Sequence, residues 1–252
     1  MPLLQIKDLS VSFPASNFIA VNQISFQIKQ GEILALVGES GSGKSLTALS
    51  ILGLQPYTAK LSGSIQFKDN NLLDTSYPNG IRGKQIGFIP QDPLSSLNPM
   101  FTIANQLYEA IQVYHPNSSQ SQLYKKCFDY LERVGIADPE RCLKSYPHEI
   151  SGGMRQRVMI AMALINEPDL LIADEPTTAL DVTVQAVILQ LLKSLGKTIL
   201  FITHDLGVVA EIADRVLVMK SGQIVESGSV YDIFEKPNQE YTRELLAAVP
   251  KL

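Results

Sequence analysis

The chain has 252 residues, of which 45% are hydrophobic and 18% are charged, and its formal net charge is −4 at pH 7. This length corresponds to one or two domains, and a chain of this size buries enough surface to fold without disulfide or metal cross-links. The acidic balance and the modest share of charged residues exclude a polybasic nucleic-acid-binding protein and a highly charged disordered tail.

Cysteine usage and the length of the apolar runs indicate a reducing, aqueous compartment. The two cysteines, Cys127 and Cys142, have no CxxC spacing, so neither a disulfide framework nor a zinc site is predicted. The longest apolar runs, residues 158–165 and 199–202, are far shorter than the roughly 18 to 20 residues of a membrane-spanning helix. The first residues lack the basic and apolar regions of a signal peptide, and we therefore expect a cytoplasmic protein.

In chain order, three regions differ in their hydrophobic pattern. Up to about residue 89, short strand-like runs are separated by turn residues, beginning with a near-alternation of apolar and polar residues at 4–13. Between about residues 92 and 149 the strand pattern disappears, and apolar residues at helical spacing predict helices at 103–113 and 119–134. After residue 151 helices and strands alternate, which is typical of a parallel sheet covered on both faces. The middle region is therefore predicted to be a helical insertion into an α/β core.

The remaining predicted segments are shorter. In the first region they are strands at 24–28, 33–37, 63–67 and 86–89. In the last region they are helices at 154–165, 182–195 and 206–212, with strands at 170–173, 199–203 and 216–219.

A glycine-rich motif follows the predicted strand 33–37 and opens a predicted helix. It reads Gly38-Glu39-Ser40-Gly41-Ser42-Gly43-Lys44-Ser45 and matches the phosphate-binding P-loop pattern GxxxxGK[ST]. Glycines allow backbone N–H groups to turn inward around phosphate oxygens, and the helix N-terminus adds a partial positive charge. Lys44 is predicted to bind the β and γ phosphates, and the Ser45 hydroxyl to ligate Mg²⁺. The predicted nucleotide-binding segment ends at Leu46.

Two adjacent carboxylates, Asp174 and Glu175, end the apolar run 170–173. Ligands of open α/β sheets bind at the carboxyl ends of the strands, which favours a functional site there over a simple turn before Pro176. Asp174 is predicted to coordinate Mg²⁺ through water. Glu175 is predicted to be the general base that polarises the attacking water.

A second small-residue turn opens a second helix and reads Ile150-Ser151-Gly152-Gly153-Met154, called the ISGGM turn below. A helix N-terminus of this kind binds anions, although a Ser N-cap followed by glycines also has a purely structural interpretation. One nucleotide does not need two such cradles on separate loops. We therefore predict that the ISGGM turn contacts the nucleotide of a neighbouring subunit.

The order of these motifs along the chain resembles that of the ATP-binding subunits of ABC transporters, over essentially the whole length. The ISGGM turn is similar to the family's LSGGQ motif, with Met154 in place of the usual glutamine. The resemblance implies ATP and Mg²⁺ as cofactors and ATP hydrolysis as the activity. It also implies that Gln91, in the string FIPQDP, senses Mg²⁺ and the γ-phosphate and contacts the membrane subunits. The same resemblance implies that Asp181 belongs to a nucleotide-contacting D-loop at 178–181.

His204, in the string FITHDL, resembles the family's switch histidine. A neutral imidazole beside a γ-phosphate donates a hydrogen bond and helps to place water, so a catalytic role is predicted. Family members also stack an aromatic residue on adenine upstream of the P-loop. Phe13 and Phe18 are both candidates for this stacking residue, and we assign the role to Phe13.

The resemblance implies a P-loop NTPase fold of the ABC type, with a mainly parallel sheet, an antiparallel β subdomain and a helical insertion. A single domain is predicted, with an α/β core and β subdomain at 1–91 and 151–235. The helical subdomain is predicted at about 92–150, and a C-terminal tail helix at 236–252.

Local strings at 96–99, 146–149 and 241–246 resemble importers of oligopeptides, dipeptides and nickel. The implied partners are two permease subunits, a second and different ABC ATPase subunit, and an extracytoplasmic solute-binding protein, with no nucleic acid. The implied location is the cytoplasmic face of the membrane. The alternative is a soluble ABC ATPase that acts on DNA or ribosomes, which the acidic charge and the single cassette disfavour.

Overall fold

The computed structural model describes residues 2–74, 80–92, 96–178 and 180–248. The chain divides into two compact units, one formed by residues 1–79 with 196–252 and the other by residues 80–195. Among the described residues, no helix combines the length and the apolar character needed to cross a bilayer.

The first unit contains an antiparallel sheet, a parallel set of strands and four helices among its described residues. Its strands are β1 (Pro2–Phe13), β2 (Phe18–Lys29), β3 (Ile33–Val37), β4 (Lys60–Phe67), β5 (Asn70–Asn71), β8 (Thr198–Thr203), β9 (Arg215–Lys220) and β10 (Gln223–Ser229). Its helices are α1 (Lys44–Leu52), α7 (Leu206–Ile212), α8 (Val230–Glu235) and α9 (Glu240–Ala247). The antiparallel sheet has the strand order β2-β1-β4-β5.

Strand β3 lies at the centre of the parallel set and pairs with β8 on one side and β9 on the other. All residues of β3 and β8 are buried, as expected for parallel strands that are covered on both faces. Val37 pairs with Thr203, so β3 and β8 end at the same edge. The P-loop and His204, which follow these two strands, therefore start from neighbouring positions.

The second unit contains a parallel strand pair and five helices among its described residues. The strands are β6 (Ile86–Ile89) and β7 (Leu170–Asp174), and the helices are α2 (Ile103–Gln112), α3 (Gln120–Arg133), α4 (Pro139–Lys144), α5 (Gly152–Leu164) and α6 (Val182–Ser194). Ile89 pairs with Ala173, which places Gln91 and Glu175 beyond the same end of the pair.

These elements confirm the predicted α/β class with an antiparallel β part and a helical region. The predicted helix at 119–134 is α3, where Ser119 and Gln122 form a reciprocal capping box. Strand β2 is longer than the predicted strand 24–28, because its first residues pair with β1 although Phe18 and Ile19 are exposed and give no burial pattern. Strands β5 and β10 and the short helices α4 and α8 were not predicted, and α9 begins at Glu240, later than the predicted start of the tail helix at 236. The division into domains stays a prediction.

Both cysteines are free and buried in the second unit. Burial raises the pKa of the Cys127 thiol to about 12, although the nearby Lys126 opposes the shift. Burial, with a smaller contribution from Asp138, raises the pKa of the Cys142 thiol to about 11.

Because the thiolate is the reactive form, we expect neither cysteine to react with a disulfide reagent such as DTNB at pH 8 in the folded chain. Unfolding in guanidinium chloride should release both thiols, as measured by absorbance. Labelling of either cysteine at the rate of a free thiol, without denaturant, would contradict the buried positions.

Candidate functional site

The P-loop surrounds a buried lysine at the start of α1. Only 4% of Lys44 is exposed, and its ammonium donates to the carbonyl oxygens of Gly38 and Glu39, both at 2.8 Å, and to Ser42 Oγ at 3.4 Å. Gly43 is the N-cap of α1 and has a φ of 106°. The backbone N–H groups of a first helical turn have no partner within the helix. Together with the ammonium, they form a cradle for anionic groups.

Two glycines of the P-loop are required by close packing. A Cβ atom at Gly38 would lie 2.1 Å from the carbonyl oxygen of Met219, and one at Gly43 would lie 2.7 Å from the carbonyl oxygen of Ala20. The loop is further held by Gly222, whose N–H donates to the Ser42 carbonyl at 3.0 Å. The end of β9 and the start of β2 thus fix the path of the P-loop.

His204 lies directly after β8, with an exposed side chain. The backbone around it is fixed on both sides. The Asp205 N–H donates to Thr203 Oγ1 at 3.0 Å, and the Asp205 carboxylate caps α7 by accepting from the N–H groups of Gly207 and Val208. The structure therefore presents the imidazole at the strand edge from which the P-loop also leaves.

In the second unit, the two carboxylates at the end of β7 have different surroundings. Asp174 is 6% exposed, whereas Glu175 is half-buried and has a φ of 47°. Glu175 Oε2 accepts hydrogen bonds from Gln91 Nε2 and Thr178 Oγ1, both at 3.0 Å. A left-handed backbone at a residue other than glycine costs about 1 kcal/mol or more, and such strain clusters at functional sites.

The turn after these carboxylates is held by Gln156, a residue that the sequence analysis did not single out. Its side chain is 1% exposed, and Nε2 donates to the Pro176 carbonyl at 2.6 Å. Gln156 lies two residues after Met154 on α5. The sequence carried a weak signal for it, because an amide is rare among the apolar residues of a buried helix face.

The ISGGM turn begins α5, and Ser151 is its N-cap, with Ser151 Oγ accepting from the Met154 N–H at 3.3 Å. Gly152 is exposed, and apart from its two chain neighbours and the backbone of its own helix no described heavy atom lies within 4 Å of the position that its Cβ would take. A Cβ atom at Gly153, by contrast, would lie 3.0 Å from Val184 Cγ1. A cleft of about 460 Å³ opens beside the turn and includes Arg157 and Glu149 in its lining.

Asp181 is the N-cap of α6, and its carboxylate accepts from the Val184 N–H at 2.9 Å. This capping bond gives Asp181 a structural role, and its contact with a nucleotide stays a prediction. Of the predicted D-loop, Ala179 lies outside the described residues.

The rings of Phe13 and Phe18 lie parallel, with their centroids 6.4 Å apart, across the short turn Pro14–Ser16. Phe18 is 56% exposed and Phe13 is half-buried. The pair, rather than Phe13 alone, therefore presents the aromatic surface. The role of Phe13 in stacking on adenine stays a prediction.

The chain is similar to known proteins over most of its length. The family model described as ABC transporter matches residues 21–178. The chain is 53% identical over 260 residues to the peptidoglycan transport ATP-binding protein YejF of Agrobacterium fabrum, covering 99% of this chain and 47% of the relative. It is 50% identical over 260 residues to the dipeptide transport ATP-binding protein DppD of Bacillus subtilis, covering 99% of this chain and 77% of the relative. The chain thus spans about half of the first relative's length.

Among solved structures, the chain is similar to the ATP-binding cassette MJ0796, a dimer in a post-hydrolysis state with ADP and Pi. The TM-score is 0.78 at 31% identity, covering 90% of this chain and 98% of that one. The fold and the P-loop define the chain as a P-loop nucleotide-binding protein. With the match over most of its length, the chain belongs to the ABC transporter family.

Proposed function

We propose that the chain binds Mg–ATP and hydrolyses it as the motor subunit of a membrane importer, with di- or oligopeptides or nickel chelates as cargo. The observation that carries this proposal is the buried Lys44 ammonium, held by the carbonyl oxygens of its own P-loop at a helix N-terminus. Relatives named for dipeptide and oligopeptide transport support a peptide cargo. They also favour an importer over the alternative, a soluble ATPase acting on DNA or ribosomes.

The residues proposed for Mg²⁺ have the right donor chemistry, because this cation prefers oxygen ligands. Ser45 supplies a hydroxyl, Asp174 a carboxylate and Gln91 a side-chain amide. The bond from Gln91 to Glu175 uses the amide nitrogen and does not use the carbonyl oxygen, which is the atom that ligates cations. When bound, Mg²⁺ would neutralise phosphate charge.

For hydrolysis, we propose Glu175 as the general base and His204 as a donor toward the γ-phosphate. Both described bonds to the Glu175 carboxylate end on Oε2, so Gln91 and Thr178 fix its orientation. A base that is already oriented loses less entropy in the transition state. Gln91 thereby has two proposed roles, because the amide that holds the base is also a proposed Mg²⁺ ligand.

The ISGGM turn is proposed to complete the ATP site of a second, different ABC ATPase subunit. The chain itself does not require glycine at 152, since a Cβ there would meet no described heavy atom beyond its chain neighbours and its own helix, and the backbone is not left-handed. Glycine leaves the N–H groups at the start of α5 open to a partner's phosphate. The further proposed partners are two permease subunits at the cytoplasmic face of the membrane and, through them, a solute-binding protein.

Lys44→Ala should abolish tight ATP binding, because it removes the charge-assisted hydrogen bonds to the phosphates. Isothermal titration with Mg–ATP measures this loss, and Lys60→Ala, which removes an exposed ammonium on β4, is the matched control. An ATP affinity equal to that of the wild type in Lys44→Ala would remove the basis of the P-loop assignment.

Glu175→Gln should keep ATP binding and lose turnover by about 10²- to 10⁴-fold, the usual contribution of a general base. With the partner subunit present, the ATP-bound dimer should accumulate, as seen by size-exclusion chromatography. Glu132→Gln, on the exposed part of α3, should leave both properties unchanged. Hydrolysis within a few-fold of the wild-type rate would move the base elsewhere, with His204 as the next candidate.

Ser151→Arg should block hydrolysis at the partner subunit's P-loop and leave this chain's own ATP binding intact. The isolated chain should be mainly monomeric and a poor ATPase, with activity rising steeply as the partner subunit is added. Ser119→Arg is the control, because Ser119 caps α3 as Ser151 caps α5. Full activity of the dilute chain alone, or loss of its own ATP binding in Ser151→Arg, would mean that the turn acts within one chain.

A further inference from the structure

The peptide unit between Gly38 and Glu39 is held at both of its polar atoms. Its carbonyl oxygen accepts from Lys44 Nζ at 2.8 Å. Its N–H donates to the hydroxyl of Tyr241 at 3.3 Å, across 202 positions of sequence. A rotation of this peptide would break both bonds together, so the hydroxyl of Tyr241 and the ammonium of Lys44 are coupled through a single rigid plane.

Tyr241 itself has little freedom to move. It lies on α9, is 7% exposed, and packs in a cluster with Ala35 and Val37, the strand residues that lead into the P-loop. The ammonium of Lys220 lies 4.2 Å from the centre of its ring, a favourable cation–π distance. Burial raises the pKa of the Tyr241 hydroxyl; the hydrogen bond from the Glu39 N–H opposes the shift, and the carboxylates of Glu39 and Glu244 add to it, so the hydroxyl stays neutral at physiological pH.

The start of α9 is fixed by a buried carboxylate. Glu226, on β10, accepts from the N–H groups of Asn238 and Gln239 at 2.7 and 3.2 Å. The Arg243 guanidinium closes the same turn by donating to the carbonyl oxygens of Pro237 and Asn238. These bonds set the position of α9 and therefore of the Tyr241 hydroxyl.

We propose that Tyr241 is a positioning residue for the nucleotide, which holds the Gly38–Glu39 peptide so that its carbonyl keeps Lys44 directed toward the phosphates. The C-terminal helix is thereby part of the phosphate site. This inference rests on the proposed function, because it assumes that the P-loop binds ATP.

Tyr241→Phe is the direct test, since it removes one oxygen atom and keeps the ring in its cluster and beside Lys220. The Glu39 N–H would then lack its described partner, and a partly buried hydrogen bond of this kind accounts for about a 5- to 10-fold change in affinity. We expect the Kd for Mg–AMP-PNP, measured by isothermal titration at 20 °C, to rise by about this factor. The backbone amide resonance of Glu39 should also shift in an NMR spectrum without nucleotide.

The matched control is Tyr231→Phe on α8. Tyr231 also has a lysine ammonium beside its ring, Lys236 at 5.7 Å, but it is exposed. The Kd of the Tyr231→Phe variant for Mg–AMP-PNP should equal that of the wild type.

A second variant, Lys220→Met, keeps the Tyr241 hydroxyl and removes the cation beside the Tyr241 ring. It should weaken nucleotide binding by about 2-fold.

Three outcomes separate the explanations. Weaker binding in Tyr241→Phe, with a melting temperature well above 20 °C and an unchanged Tyr231→Phe, supports the positioning role. Wild-type affinity in Tyr241→Phe combined with weak binding in Tyr241→Leu would overturn it, because ring packing alone would then matter. Absence of nucleotide binding by the wild-type chain would instead overturn the proposed function on which this inference rests.

Discussion

The buried ammonium of Lys44 is the constraint on which the arrangement of the first unit depends. A charge with 4% exposure is unstable unless polar groups surround it, and the P-loop supplies carbonyl oxygens for this purpose. Those oxygens can turn inward only where the chain bends sharply around a glycine. Val37 pairs with Val218, so Gly38 comes to lie against Met219, whose carbonyl oxygen excludes any Cβ. The register of β3 against β9 therefore requires glycine at position 38.

The same dependence on strand register operates in the second unit. Ile89 pairs with Ala173, and Gln91 and Glu175 each follow two residues later, which brings the amide and the carboxylate into hydrogen-bond contact. A shift of the pairing by one residue would separate them. Glu175 has a left-handed backbone, and its bonds to Gln91 and Thr178 offset the cost of that conformation.

The sequence alone predicted those strands, helices and loops whose residues follow a clear local pattern. Strand β3 and residues 199–202 of β8 are continuous apolar runs, and apolar residues at helical spacing predicted α3. The P-loop was predictable because a glycine-rich turn between a strand and a helix is specific. The Gln91–Glu175 bond and the Tyr241–Glu39 bond were not predictable, because they join residues 84 and 202 positions apart. Such contacts depend on which strands and helices become neighbours, and no local pattern records that choice.

Helix N-termini in this chain show why a capping residue alone does not define a binding site. Ser119, Ser151 and Asp181 all accept a hydrogen bond from the third N–H of their helix, so the local geometry is the same. What distinguishes Ser151 is the residue after it. Gly152 is exposed, and a Cβ there would meet no described heavy atom beyond its chain neighbours and its own helix, whereas Gln120 and Val182 carry full side chains at the same position. A missing side chain with no internal reason for its absence is best explained by an approach from outside. This feature of α5 is the observation on which the proposed contact with the nucleotide of a second subunit rests.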